Sequence, residues 1–85
     1  MKYINVYEVG GWDYEQALLG GSSQLKQLQD IVGGYIEIVQ LGGGEIAVIN
    51  EEGRMHGLPY NQNASMVTGM DLVGDVVIMD YADLD

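Results

Sequence analysis

The sequence predicts an α+β domain: a small, mostly antiparallel sheet with one main helix, over about residues 22–32, packed on a face. Three observations predict it. Apolar and polar residues alternate with period two in YINVYE (3–8), YIEIVQL (35–41) and EIAVIN (45–50), the pattern of half-buried strands. The stretch SSQLKQLQDIV has its apolar residues at helical spacing instead. Three consecutive glycines, Gly42 to Gly44, join two of the strands, which is hairpin chemistry.

The elements follow in chain order. Residues 3–8 form the first strand, stopped by Gly10 and Gly11. Asp13 followed by Gln16 resembles a capping box for a short helix over YEQALL, ended by Gly20 and Gly21. Ser22 or Ser23 then caps the main helix. Leu25, Leu28, Ile31 and Val32 share one face there, and Lys26, Gln27 and Asp30 the other. Gly33 stands where a left-handed C-cap belongs.

In the next strand, Tyr35, Glu37, Val39 and Leu41 fall on one face, with Ile36, Ile38 and Gln40 on the other. Apolar side chains on both faces predict a central strand. Asn50-Glu51-Glu52-Gly53 suits a type I turn with a glycine bulge, followed by a short return strand Arg54–His56. Pro59 favours an extended Leu58 and an irregular path through Asn63. Residues 64–70 read as one helical turn or a loop. The last strand spans 72–81, and Gly74 within it signals a bulge or a close backbone approach. The acidic tail, Asp80 to Asp85, is expected to fray.

Eighty-five residues suit one domain, 1–85. A chain this short buries only about 60% of its unfolded surface, so self-association into a homo-oligomer would add buried area. The longest apolar runs, such as Val76 to Met79, are far too short for a membrane span. The N-terminus lacks the apolar block of a signal peptide, which predicts a cytoplasmic protein. Without cysteine there is neither a disulfide framework nor a thiolate metal site.

Thirteen acids face three cations, Lys2, Lys26 and Arg54. Such a field repels polyphosphate, which argues against direct binding to DNA or RNA. The acidity either keeps a small protein soluble or engages a basic partner. His56 is the sole histidine, leaving little material for nucleophilic catalysis. The acids lack the dense loop spacing that hard cations prefer. The glycine pairs match neither G-x-G-x-x-G nor a Walker pattern, and Gly42–Gly44 leads into a strand. The sequence therefore predicts no enzymatic activity and no cofactor. The aromatic N-terminal quarter, Tyr3, Tyr7, Trp12 and Tyr14, is expected to pack in the core, with a dimer or partner surface as the alternative.

The segment 54–63 gathers the groups best suited to hold a ligand: Arg54, His56, Tyr60, Asn61, Gln62 and Asn63. Amides can read a base edge, an aromatic ring can stack on it, and Arg54 can bind a phosphate. Equally, the amides could serve only to satisfy the backbone of an irregular loop beside Pro59.

Three stretches, LQDIVGGYIEIVQL, INEEGRMHGLPYNQNA and VGDVVI, resemble a family of phage and mobile-element proteins known as domain of unknown function 3846. The resemblance spans roughly Leu25 to Ile78. It implies no enzymatic activity and a role against, or on, the host. Two kinds of partner follow from it: a small nucleotide signal of a host defence system, sequestered by the protein, or a basic host protein blocked by an acidic inhibitor that imitates nucleic acid. Basic residues are common in the family between the Asn and Ala of GLP-x-N-x-x-A, where this chain has Gln62 and Asn63. Any phosphate contact there would fall to amides and backbone N–H groups.

Overall fold

The computed structural model describes residues 1–85. Five strands, β1 (Tyr3–Tyr7), β2 (Asp13–Ala17), β3 (Ile36–Gly42), β4 (Glu45–Asn50) and β5 (Val76–Asp80), join two helices, α1 (Ser22–Val32) and α2 (Gln62–Thr68). The strands form one antiparallel sheet in the order β2-β1-β5-β4-β3. The fold is α+β, with α1 packed on one face of the sheet.

Period-two alternation explains the two cores. Ile4, Val6, Ile46, Val48, Val77 and Met79 point to one face, where Leu28 and Val32 of α1 close over them. The intervening residues Ala47, Val76 and Ile78 point to the other face and pack with Ala64 of α2 and with Leu72. Fully burying one such aliphatic side chain contributes about 1.5–3 kcal/mol.

Several elements differ from the sequence expectations. Residues 13–17 form a strand, not a helix. Gly10 and Gly11 turn the chain so that β2 pairs with β1 from Tyr3↔Ala17 to Tyr7↔Asp13, and this pairing overrides local helix propensity. The strand β3 lies at a sheet edge. Both of its faces are only partly covered: Ile36 is half-buried and Ile38 exposed on the α1 side, and Val39 and Leu41 are half-buried on the other. Residues 54–56 form successive turns rather than a return strand, held by His56 N–H donating to Glu52 O and Leu58 N–H to Gly53 O. The regular last strand begins only at Val76.

The inward face of α1 also differs. Leu25 is exposed, while Gln24 and Gln27 are buried. The Gln27 amide donates to Ala17 O and accepts from Leu19 N–H, at 2.8 and 2.9 Å. Gln24 donates to Leu19 O and Asp83 O and accepts from Asp85 N–H. The helix thus covers a loop and the chain end, whose backbone groups need polar partners more than another leucine. Neither Ser22 nor Ser23 caps the helix. Gly21 is the N-cap residue, with no side-chain bond, and its N–H donates to the Asp85 carboxylate at 2.7 Å. Gly33 does close the helix in the left-handed conformation. These bonds also hold the tail: Tyr81–Asp83 form a 3₁₀ turn, and Tyr81 N–H donates to Gly44 O. Of the four N-terminal aromatics, Tyr3, Trp12 and Tyr14 are exposed and lie outside the core, and only Tyr7 is half-buried, packed against the cluster of Ala47, Val76 and Ile78.

Candidate functional site

The six residues singled out in segment 54–63 do not gather around one cavity. The Arg54 side chain is exposed and its guanidinium donates to Asp71 O at 2.7 Å. It lines a small cleft with Glu37, Glu51, Glu52 and Asp71. His56 lines a different, shallow cleft with Tyr35, Gly33, Gly34 and Glu52. Tyr60 is exposed and makes an isolated bridge to Val73. Gln62 is exposed at the start of α2, and the Asn63 amide donates to Gly11 O at 3.0 Å.

Asn61 has a structural position. It is fully buried; its amide donates to Tyr7 O and Gly74 O, both at 2.8 Å, and its carbonyl accepts Ala64 N–H as the N-cap of α2. One side chain thereby ties β1, the approach to β5 and α2 together: both amide hydrogens are spent, and full burial keeps the carbonyl from a ligand.

The neighbouring motif residues interlock in the same way. Asn50 accepts Glu52 N–H and donates to Val32 O, which gives the NEEG turn and anchors the end of α1. Gly53 has no positive φ, so it serves close packing and not a glycine bulge: a Cβ there would meet Val73 Cγ2 at 3.0 Å. Gly74 has φ +74°, and a Cβ would meet Leu58 Cδ1 at 2.8 Å. Leu58 folds back over both glycines.

The largest concavity lies elsewhere, between α1 and the β1–β2 hairpin. It has a volume of about 970 Å³. The register Val6↔Tyr14 and Ile4↔Gln16 turns Tyr14 and Gln16 toward α1. Apolar contacts come from Ala17, Leu19 and Ile31, and hydroxyls from Ser22 and Ser23. Its charged groups are Glu8, Asp30, Asp75 and a single cation, Lys26. Lys26 is occupied by Asp30 at 2.9 Å, one turn along the helix.

Asp75 accepts Val9 N–H through one carboxylate oxygen at 2.9 Å, which fixes it at the mouth of the hairpin. Tyr14 feels this surrounding: burial, then the carboxylates of Glu8 and Asp75, hold its phenol above the ordinary value of 10.0. The groove therefore combines a neutral phenol, a few apolar side chains and a net anionic set of charges, a combination that suits a cationic group flanked by hydrocarbon. No group of three or more His, Asp or Glu side chains is arranged to hold a metal ion.

A family model, described as a domain of unknown function (DUF3846), matches residues 2–85. The chain belongs to the DUF3846 family. Neither a curated protein nor a solved structure matches it.

This groove is absent from the sequence reading, because residues 13–17 look like a helix start. The signal that could have found it is Gly10-Gly11 directly after a period-two strand, which is hairpin chemistry. A hairpin places Tyr14 beside Val6 and beneath the main helix. No helix of this family member is long and apolar enough to cross a membrane.

Proposed function

We propose that this DUF3846 domain is a non-enzymatic binding protein that engages a basic protein of the host, with the groove between α1 and β2 receiving cationic side chains of that partner. The observation that carries this reading is the state of the charges. All three cations are engaged internally: Lys2 with Asp83 at 3.1 Å, Lys26 with Asp30 at 2.9 Å, and Arg54 with Asp71 O at 2.7 Å. Most of the thirteen acids are exposed, and none of them is fully buried.

An exposed ion pair contributes only about 0–1 kcal/mol, so a phosphate could displace Asp30 from Lys26. It would then stand beside Asp30, Glu8 and Asp75 in the same groove, where Coulomb repulsion opposes it. An arginine or lysine meets the opposite field. On a phage or mobile element, such binding would block a host protein that handles nucleic acid or acts in defence.

The test is calorimetric titration with an arginine-rich peptide at two salt concentrations. Raising ionic strength from about 0.01 to 0.15 M shortens the Debye length from about 30 to 8 Å, so affinity should fall steeply. Salt-insensitive binding, or no binding at low salt, would overturn the reading.

A second reading, sequestration of a small nucleotide signal, has one feature in its favour. Exposed Tyr35 and His56 flank the Gly33–Gly34 backbone in a cleft of about 480 Å³. An aromatic ring there could stack on a base, although Asp30 and Glu52 stand at the same rim. A thermal-shift screen with cyclic and linear nucleotides tests it. A large shift that disappears in Tyr35→Ala would favour this cleft over the acidic groove.

A further inference from the structure

The sheet has two open edges, β2 and β3, and their chemistry differs. On β3, Tyr35 O accepts Glu51 N–H at 2.8 Å, which makes Tyr35 and Glu51 a hydrogen-bonded pair. Antiparallel ladders alternate between bonded and non-bonded pairs. The register from Ile36↔Asn50 to Gln40↔Ile46 therefore turns the backbone N–H and C=O of Ile36, Ile38 and Gln40 outward. No turn or loop backbone bonds to that edge. An unpaired row of this kind is a template for another strand.

We propose that this row pairs with the same row of a second copy, forming a twofold dimer in which Ile38 lies opposite Ile38 of the partner copy. The twofold restricts the choice of register. Centred on Ile38, each Ile36 meets a Gln40, and all three outward-facing residues of both strands are satisfied. Glu37 then lies opposite Val39. Centring on Glu37 would set two glutamates face to face, which destabilises a strand pair. Centring on Val39 would leave the Ile36 groups of both copies unpaired. The β-bulge between Gln40 and Gly42 falls beyond the paired stretch, so it does not protect the edge. Ile38 is 38% exposed in the single chain, and the pairing sets it against its equivalent.

Charge selects this edge over the other. Leu18 N–H donates to Lys2 O, and Glu8 N–H to Trp12 O, so on β2 the outward residues are Asp13, Glu15 and Ala17. Self-pairing there would centre Glu15 on Glu15. The formal charge of −10 per chain opposes association over most of the surface. The stretch Ile36–Gln40 carries one acid, no lysine and no proline. The groove beside β2 stands at the far edge of the sheet, so the dimer leaves both grooves open.

Sedimentation equilibrium of the full chain, alongside Ile38→Lys and Ile38→Pro, tests the pairing. The Ile38 N–H points away from β4, so proline removes no bond within the sheet. The parent chain should sediment at twice the monomer mass at tens of micromolar. Both variants should sediment as monomers with unchanged far-ultraviolet circular dichroism. Added salt should strengthen the dimer by screening like charges, the reverse of its effect on a basic partner. A parent chain that stays monomeric at every concentration overturns the proposal, as does a dimer that persists in the folded variants. If the proline variant unfolds, the lysine variant decides alone.

Discussion

The segment from Asn50 to Gly74 and the groove between α1 and β2 are near opposites. The first is rich in motif and poor in free chemistry: the amide of Asn61 and both sides of the Asn50 amide are spent on the backbone, and Leu58 fills the space left by Gly53 and Gly74. The second has no motif at all, yet it holds Glu8, Tyr14 and the lone helix cation, Lys26, around open volume. The difference teaches that a dense run of glycine, proline and asparagine can be a packing constraint. Residues that must fit backbone at close range tolerate few alternatives. Around the open groove fewer side chains are spent in this way, Asp75 and Gln27 being the exceptions.

The sharpest way to break this contrast is Asn61→Ala. It removes an N-cap and leaves the carbonyls of Tyr7 and Gly74 without their partner, for an expected loss of about 3–5 kcal/mol. Against the 5–15 kcal/mol typical of whole domains, urea denaturation should show a chain that is barely folded. Normal stability would mean that the asparagine is available for a ligand after all. Gly74→Ala should cost about 2 kcal/mol, combining a left-handed backbone with contact against Leu58. A shift in the urea midpoint with unchanged slope would register it.

The groove should answer in the opposite manner. Glu8→Gln is expected to leave the urea midpoint nearly unchanged while weakening an arginine-rich peptide roughly two- to fivefold. Loss of stability without loss of binding would transfer Glu8 to the structural group.

The smallest effect concerns Tyr14. Its phenol holds its proton above pH 10.0 in the folded chain, so the native state binds more protons than the unfolded one just above that pH. Stability is then fully present below about pH 10 and falls as pH rises through the raised value. Tyr14 is 44% exposed, which keeps the effect slight. Thermal unfolding of Tyr14→Phe between pH 9 and 11 should show a flatter decline than the parent chain, and an identical decline would remove Tyr14 from the acidic mouth of the groove.

Much of the fold was legible because local chemistry and global packing agree there. The strand 45–50 and the helix 22–32 with its Gly33 cap follow from spacing and turn residues alone. Legibility failed where partners distant in sequence decided the outcome. Residues 13–17 have adequate helix formers, but pairing with β1 fixes them as a strand. Gln24 and Gln27 look like a solvated stripe until the loop at Leu19 and the tail at Asp85 come to lie beneath them. Arg54, His56 and Tyr60 are neighbours in sequence, and the turns at 51–57 direct them into separate surroundings.

By itself the sequence determined the α+β class, the excess of anions, the glycine turns and the shortage of catalytic groups, since each depends on composition or on spacing within a dozen residues. Tertiary structure alone decided which strands are edges, which amides are consumed, and where a cavity opens. Those properties depend on which backbone groups meet across the chain, and hydrogen-bond satisfaction in a buried place is settled by the partner as much as by the residue.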